Sequence, residues 1–206
     1  MPSIYDIKPR FQALLRPLVR RLAASGVTAN QVTVVAALLS GAAGAFLAFQ
    51  PASRIALLLV PAVLFVRMAL NAIDGMLARE HGMKSSLGAV LNELGDVVAD
   101  AALYLPFVFV AGISDPLIVV IVLLATISEM AGVVAVQIGA ARRYDGPMGK
   151  SDRAFLFGLV ALLAGLGVPL VPWINPVLGL VTVLIVITIF NRSRRAIAEA
   201  SGRTGP

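Results

Sequence analysis

Residues 71–100 read NAIDGMLAREHGMKSSLGAVLNELGDVVAD. Asp74, Arg79, Glu80, Glu93, Asp96 and Asp100 crowd into this stretch, although the 206-residue chain is 59% hydrophobic and only 14% charged. A charge at the centre of a bilayer costs on the order of 3 kcal/mol on insertion scales, so acids inside apolar spans face a cavity and carry a function. Asn71, Asp74, Gly75, Ala78 and Arg79 fall at i, i+3, i+4, i+7 and i+8, one face of a helix. Gly88, Asn92, Asp96 and Asp100 recur every fourth residue along the next helix. A short turn joins the two helices, so they run antiparallel and can turn these faces toward each other.

The rest of the chain makes this pair part of a membrane protein. Apolar runs approaching the roughly 20 residues that cross a bilayer predict six spans, at about 29–49, 54–79, 85–111, 116–141, 151–168 and 173–191. Thr28-Ala29-Asn30-Gln31 reads as a capping box that starts the first span. Pro51, Asp115–Pro116 and Pro172 mark the outer turns. Before the spans, Phe11, Leu14, Leu15, Leu18 and Leu22 repeat at helical spacing among arginines, which predicts an amphipathic interfacial helix bent at Pro17. Residues 1–26 are thus expected to form a juxtamembrane helix, 27–192 an all-α domain of six transmembrane helices, and 193–206 a basic, flexible tail.

The cations set the topology. Fifteen of the seventeen Lys and Arg residues lie before the first span, after the second or fourth, or in the tail. The positive-inside rule then puts both termini and the acid-bearing pocket on the cytoplasmic side. The net charge of +6 reflects this topology and anionic headgroups, and gives no support to nucleic-acid binding. The absence of Cys excludes disulfides and thiol chemistry. The start of the chain lacks an uninterrupted apolar core, so it does not read as a signal peptide. No Ser/His/Asp nucleophile arrangement, P-loop or His-rich metal spacing occurs.

Carboxylate and amide oxygens near a membrane surface suit Mg²⁺, Mn²⁺ or Ca²⁺. Mg²⁺ typically takes one or two carboxylates and completes its shell with water and substrate phosphates. Gly75 and Ala78 leave room beside the helix for a phosphate or base, and Arg79 can chelate a phosphate. Gly95 reads as a helix-packing residue. The residue chemistry points to a metal–diphosphate site at headgroup level.

The stretch resembles the CDP-alcohol phosphatidyltransferase family, whose signature is Asp-x₂-Asp-Gly-x₂-Ala-Arg-x₈-Gly-x₃-Asp-x₃-Asp. The chain has Asn71-x₂-Asp74-Gly75-x₂-Ala78-Arg79-x₈-Gly88-x₃-Asn92-x₃-Asp96, with every spacing kept. The resemblance implies attack of an acceptor hydroxyl on the lipid-side phosphorus of CDP-diacylglycerol, with CMP leaving. It implies Asp74, Asp96, Asn71 and Asn92 around Mg²⁺ or Mn²⁺, Gly75, Ala78, Arg79 and Gly88 around the nucleotide, and Asp96 as ligand or general base. It further implies a homodimer in a bacterial inner membrane, acting in phospholipid biosynthesis. Asn71 and Asn92 depart from the pattern, leaving two negative charges of the usual four. One tightly held ion is therefore expected, with a second arriving with nucleotide if at all, and Glu93 and Asp100 are candidate accessory acids. Lys150 and Arg153 are candidates for an acceptor phosphate, which makes a phosphorylated polyol the expected acceptor. Glu129, inside a span, is expected to pair with Arg67, another charge inside a span, or else to line the pocket. Gln137, Arg142 and Arg143 are read as extending the fourth span, and His81 as a solvated turn residue. The alternative readings are a catalytically impaired CDP-lipid-binding sensor or scaffold and, less favoured, an ion-coupled transporter.

Overall fold

The structure, a computed structural model, describes the backbone of residues 4–203 and the side chains of residues 9–202. All regular structure among these residues is helical. Helix α1 spans Ile4–Ala24, α2 Ala29–Phe49, α3 Arg54–Glu80, α4 Ser86–Tyr104, α5 Asp115–Gln137, α6 Lys150–Gly165 and α7 Ile174–Arg203. Residues 1–3 and 204–206, the ends of the expected juxtamembrane helix and tail, lie outside the described residues.

Local chemistry explains where these helices begin. Thr28 and Gln31 form the expected capping box: the Gln31 amide donates to Thr28 Oγ1 (3.3 Å) and the Thr28 amide to Gln31 Oε1 (2.9 Å). Ser53 Oγ accepts from the Ala56 amide at the start of α3, and Ser85 Oγ from the Gly88 amide at the start of α4. Asp152 accepts the Gly149 amide at 2.9 Å, so it helps begin α6.

Four described helices are long and apolar enough to cross a membrane: α2, α3, α5 and α7 through Gly202. The other two expected spans differ in kind. Helix α4 carries Glu93, Asp96 and Asp100 within 19 residues. Its continuation tightens into a 3₁₀ segment, Leu105–Phe109, with Pro106 near the start. Helix α6 is 16 residues long, about 24 Å at 1.5 Å per residue.

Two boundaries correct the sequence reading. The fourth span ends at Gln137 instead of near residue 141, because Gly139 adopts φ +85° and turns the chain. Arg142 and Arg143 therefore lie in the following loop, folded back so that the Arg143 amide donates to the Gly132 carbonyl (3.2 Å). The expected flexible tail is helical through Arg203 as the end of α7. Arg143 pairs with Glu199 (2.9 Å), Arg195 pairs with Asp145, and Ala196 packs with Ala135 and Ala140, so this last turn has partners to hold it.

Helix α1 runs through Pro9 and Pro17. It buries Val19 against Ile73, Met76 and Leu77 of α3, with Leu15 and Leu22 beside them. Leu14 and Leu18 of the predicted apolar stripe point outward. The main core gathers Leu47, Leu103, Tyr104, Phe107, Ile118, Ile121, Phe157 and Ile174, with Tyr104 stacked on Phe157 at 4.1 Å between ring centroids. Close backbone approach fixes α4 against α2: a Cβ on Gly44 would stand 1.9 Å from the Ala102 carbonyl oxygen.

Candidate functional site

Helices α2, α3 and α4 assemble the motif. Asp74, buried in α3, accepts the Thr33 hydroxyl of α2 at 2.8 Å. Asn71, one turn earlier, donates through Nδ2 to Asp96 Oδ1 of α4 at 3.2 Å. The two polar faces predicted from spacing therefore meet. The Arg79 guanidinium folds over Gly75, where an added Cβ would lie 3.1 Å from both terminal nitrogens. Gly88 faces Asn30, whose Oδ1 would be 2.7 Å from a Cβ there. Gly95 packs near Thr33 Cγ2, in keeping with its expected packing role. Asn92 is half-buried on the same helix as Asp96, and His81 is exposed as the cap of α3.

Cations converge on Asp96. Arg67 Nη2 lies 3.3 Å from its Oδ1 and also donates to its backbone carbonyl at 3.0 Å, while Lys150 pairs with Oδ2. Arg67 Nη1 meets Asp100 Oδ1 at 2.5 Å, with both residues buried. The candidate accessory acids thus have arginine partners: Asp100 has Arg67 and Glu93 has Arg142.

The expected pairing of Arg67 with Glu129 is corrected by the packing. Helix α3 packs on α6 and α5 on α7. Arg67 consequently turns to α4, while Glu129 meets Arg153 of α6 (2.8 Å), Arg192 of α7 (3.4 Å) and Arg142 of the loop (3.6 Å). Arg192 also donates to the Ser128 carbonyl at 2.6 Å. Outside the spans, Asp145 sits between Arg143 (2.7 Å) and Arg195. The hydrogen bond from Arg143, with charge from both arginines, holds its carboxyl below the usual range.

The sequence reading missed Asn30, Thr33 and Arg192. Asn30 and Thr33 share a face of α2 three residues apart, a weak polar signal, and Arg192 read as one more cytoplasmic anchor. Two spaces adjoin the cluster. A groove of about 540 Å³ between α3 and α6 runs from Asn71, Arg67 and Lys150 down to Phe65, Phe155, Leu159 and Leu162. A cavity of about 10 Å³ lies among Asp100, Tyr104, Glu129 and Arg153.

No described cluster holds three or more His, Cys, Asp or Glu in metal-binding arrangement. With Asn at 71 and 92, the oxygen donors are two carboxylates and two side-chain amides. Carboxylates alongside neutral oxygens are donors that suit a hard divalent cation.

These features describe a multi-pass membrane protein with an acid-and-amide centre between its helices, suited to a metal-bound phosphoryl substrate. Residues 26–189 match the CDP-alcohol phosphatidyltransferase family. The inner membrane protein YnbA of Escherichia coli (strain K12) is 44% identical over 192 residues, covering 93% of this chain and 95% of that protein. An uncharacterized protein of Aquifex aeolicus (strain VF5) is 33% identical over 101 residues, 49% of this chain and 47% of that one. The fold is similar to the phosphatidylinositol phosphate synthase PgsA1 of Mycobacterium tuberculosis at 24% identity. The TM-score is 0.71 for its crystal structure with CDP-DAG bound, covering 87% of this chain and 92% of that one. It is 0.67 for its complex with manganese and citrate, covering 87% of each. The chain belongs to the CDP-alcohol phosphatidyltransferase family, and so is a transferase of the bacterial inner membrane.

Proposed function

We propose that the chain transfers the phosphatidyl group of CDP-diacylglycerol to a hydroxyl acceptor at the cytoplasmic face. On this reading it crosses the membrane six times, with α4 and α6 as the two further spans and α1 at the interface. Both termini would then face the cytoplasm, in line with the distribution of basic residues. The acceptor oxygen forms a new bond to the lipid-side phosphorus, the bond from that phosphorus to the CMP oxygen breaks, and Asp96 receives the acceptor proton. Asp74 and Asp96, aided by the amide oxygens of Asn71 and Asn92, would hold one Mg²⁺ or Mn²⁺. When bound, the ion neutralises diphosphate charge and acidifies a nearby hydroxyl. Gly75 and Ala78 make room for the nucleotide, Gly88 borders it, and Arg79 binds phosphate oxygen as a planar donor. The α3–α6 groove, polar at Asn71 and Lys150 and apolar below, suits a diacyl chain leaving that site.

Lys150 is paired with Asp96 and Arg153 with Glu129, so an acceptor phosphate at either would compete with a carboxylate of the chain. For the expected homodimer, α4 supplies an outward row of Leu87, Val90, Leu94 and Val98. The observation that carries the proposal is the Asn71–Asp96 hydrogen bond of 3.2 Å, because it closes the two halves of the motif on one another. Purified protein given CDP-diacylglycerol, Mg²⁺ or Mn²⁺ and a panel of hydroxyl acceptors should release CMP, and Asp96→Asn should not. Failure to release CMP with any acceptor would overturn the reading.

A further inference from the structure

The transferase reading leaves Glu129 without a role. It is buried about two-thirds of the way along α5, where a carboxylate is costly unless it is paired. Its Oε1 takes Arg153 at 2.8 Å and Arg192 at 3.4 Å, and its Oε2 lies 3.6 Å from Arg142. Arg153 and Arg192 are 1% and 2% exposed, so this is an interior site and not a surface network. Three guanidinium groups converging on one point suit a phosphate, whose oxygens accept charge-assisted hydrogen bonds from several forks at once. Here a carboxylate of the chain itself fills that point.

Ion pairs connect the point to the candidate base. Arg153 lies 3.6 Å from Asp100, Asp100 2.5 Å from Arg67, and Arg67 3.3 Å from Asp96. Apart from Arg79, assigned to the donor phosphates, the cations in and around this interior are Arg67, Arg142, Lys150, Arg153 and Arg192. The acids are Asp74, Glu93, Asp96, Asp100 and Glu129, so the two sets balance. Donor diphosphate arrives with its own cation, and no cationic surplus is left for a second phosphate. Neutral hydroxyls, in contrast, have partners waiting. Arg153 Nε, Arg142 Nε and Nη1, Tyr104 OH and Ser128 Oγ are buried with no hydrogen-bond partner among the described residues. The cavity of about 10 Å³ beside Arg153 and Tyr104 has room for one water or one hydroxyl.

We propose that Glu129 sets the acceptor class by occupying the place of an acceptor phosphate, so the acceptor is a hydroxyl compound with no phosphate and no net charge. This rests on the transferase reading, and the test separates the two. Purified protein with CDP-diacylglycerol and Mg²⁺ is given matched acceptors, glycerol against glycerol 3-phosphate and inositol against inositol 1-phosphate, with CMP release and product mass as readouts. The uncharged members are expected to be used at least tenfold better. In Glu129→Gln, which keeps the side-chain shape, the KM for phosphorylated members should fall at least tenfold. A wild-type preference for phosphorylated acceptors overturns the inference and leaves the transferase standing. If no acceptor releases CMP, the transferase reading fails, and a second arm still decides whether Glu129 fills a phosphate site. Calorimetry with inorganic phosphate, without donor or metal, should show binding to Glu129→Gln and Glu129→Ala but not to wild type. Phosphate bound by wild type, or by neither variant at unchanged melting temperature, overturns it.

Discussion

Asn71→Asp restores the family's first aspartate and tests whether the two polar faces meet. Asn71 Nδ2 lies 3.2 Å from Asp96 Oδ1, so the change replaces a hydrogen bond with two facing carboxylates. At that distance and an effective dielectric of 20 the repulsion is about 5 kcal/mol. Arg67 and Lys150 already sit on Asp96 and offset part of it, and the new acid can stay protonated. The net loss expected without metal is about 1–3 kcal/mol, within the usual range for a destabilising substitution. At about 2–4 °C per kcal/mol for a chain of this size, melting in detergent should fall by several degrees.

Divalent cation should reverse the sign. A third carboxylate gives the ion a charged ligand where the wild type offers an amide, and relieves the repulsion that the ion-free variant carries. Mn²⁺ titration followed by melting temperature should show tighter binding by tenfold or more, equivalent to about 1.4 kcal/mol or more. The Mn²⁺-induced stabilisation should exceed that of the wild type, because binding stabilises only the state that binds. An Asn71→Asp protein as stable as wild type without metal, with unchanged Mn²⁺ affinity, would refute the placement of residue 71 against Asp96.

Gly44→Ala puts a methyl group 1.9 Å from the Ala102 backbone carbonyl and should destabilise the protein by about 1–3 kcal/mol in thermal unfolding. Arg67→Met leaves Asp100 buried without its main partner and should cost about 3–5 kcal/mol, whereas adding Asp100→Leu should recover most of the loss in a double-mutant cycle. Asp145 has a lowered carboxyl pKa from Arg143 and Arg195, so its contribution is full above the unfolded aspartate pKa and is lost as pH falls through the lowered folded value. Amide protection factors in residues 139–149 should therefore fall below about pH 4, and Asp145→Asn should remove that dependence.

The helices and the motif were legible because each rests on short-range information. The Thr28–Gln31 cap, the apolar runs and the i, i+3, i+4 spacing of Asn71, Asp74 and Gly75 all depend on neighbours within two turns. What escaped depends on which helices become neighbours. Glu129 and Arg67 looked like partners because each was a lone charge in an apolar span, yet α5 packs on α7 while α3 packs on α6. The turn at Gly139 likewise moved Arg142 off the helix and up to Glu93 and Glu129. The tail composition suggested disorder, but Arg195 and Glu199 found partners in the loop after α5, which cannot be read from the tail alone.

The pattern of pairing separates the acids by role. A carboxylate at membrane depth needs a compensating charge. Glu93, Asp100 and Glu129 have arginines, and Asp96 has Arg67 and Lys150. Asp74 is different: its described partner is the Thr33 hydroxyl, and no described cation forms a salt bridge with it. A hydroxyl orients one lone pair but brings no positive charge. On the proposed reading, Asp74 is thus the acid left open to an external cation, while Asp96 must exchange an internal cation for it. A cation held at Asp96 would loosen its pairing with Lys150, and the released charge would serve the donor diphosphate, not a second phosphate.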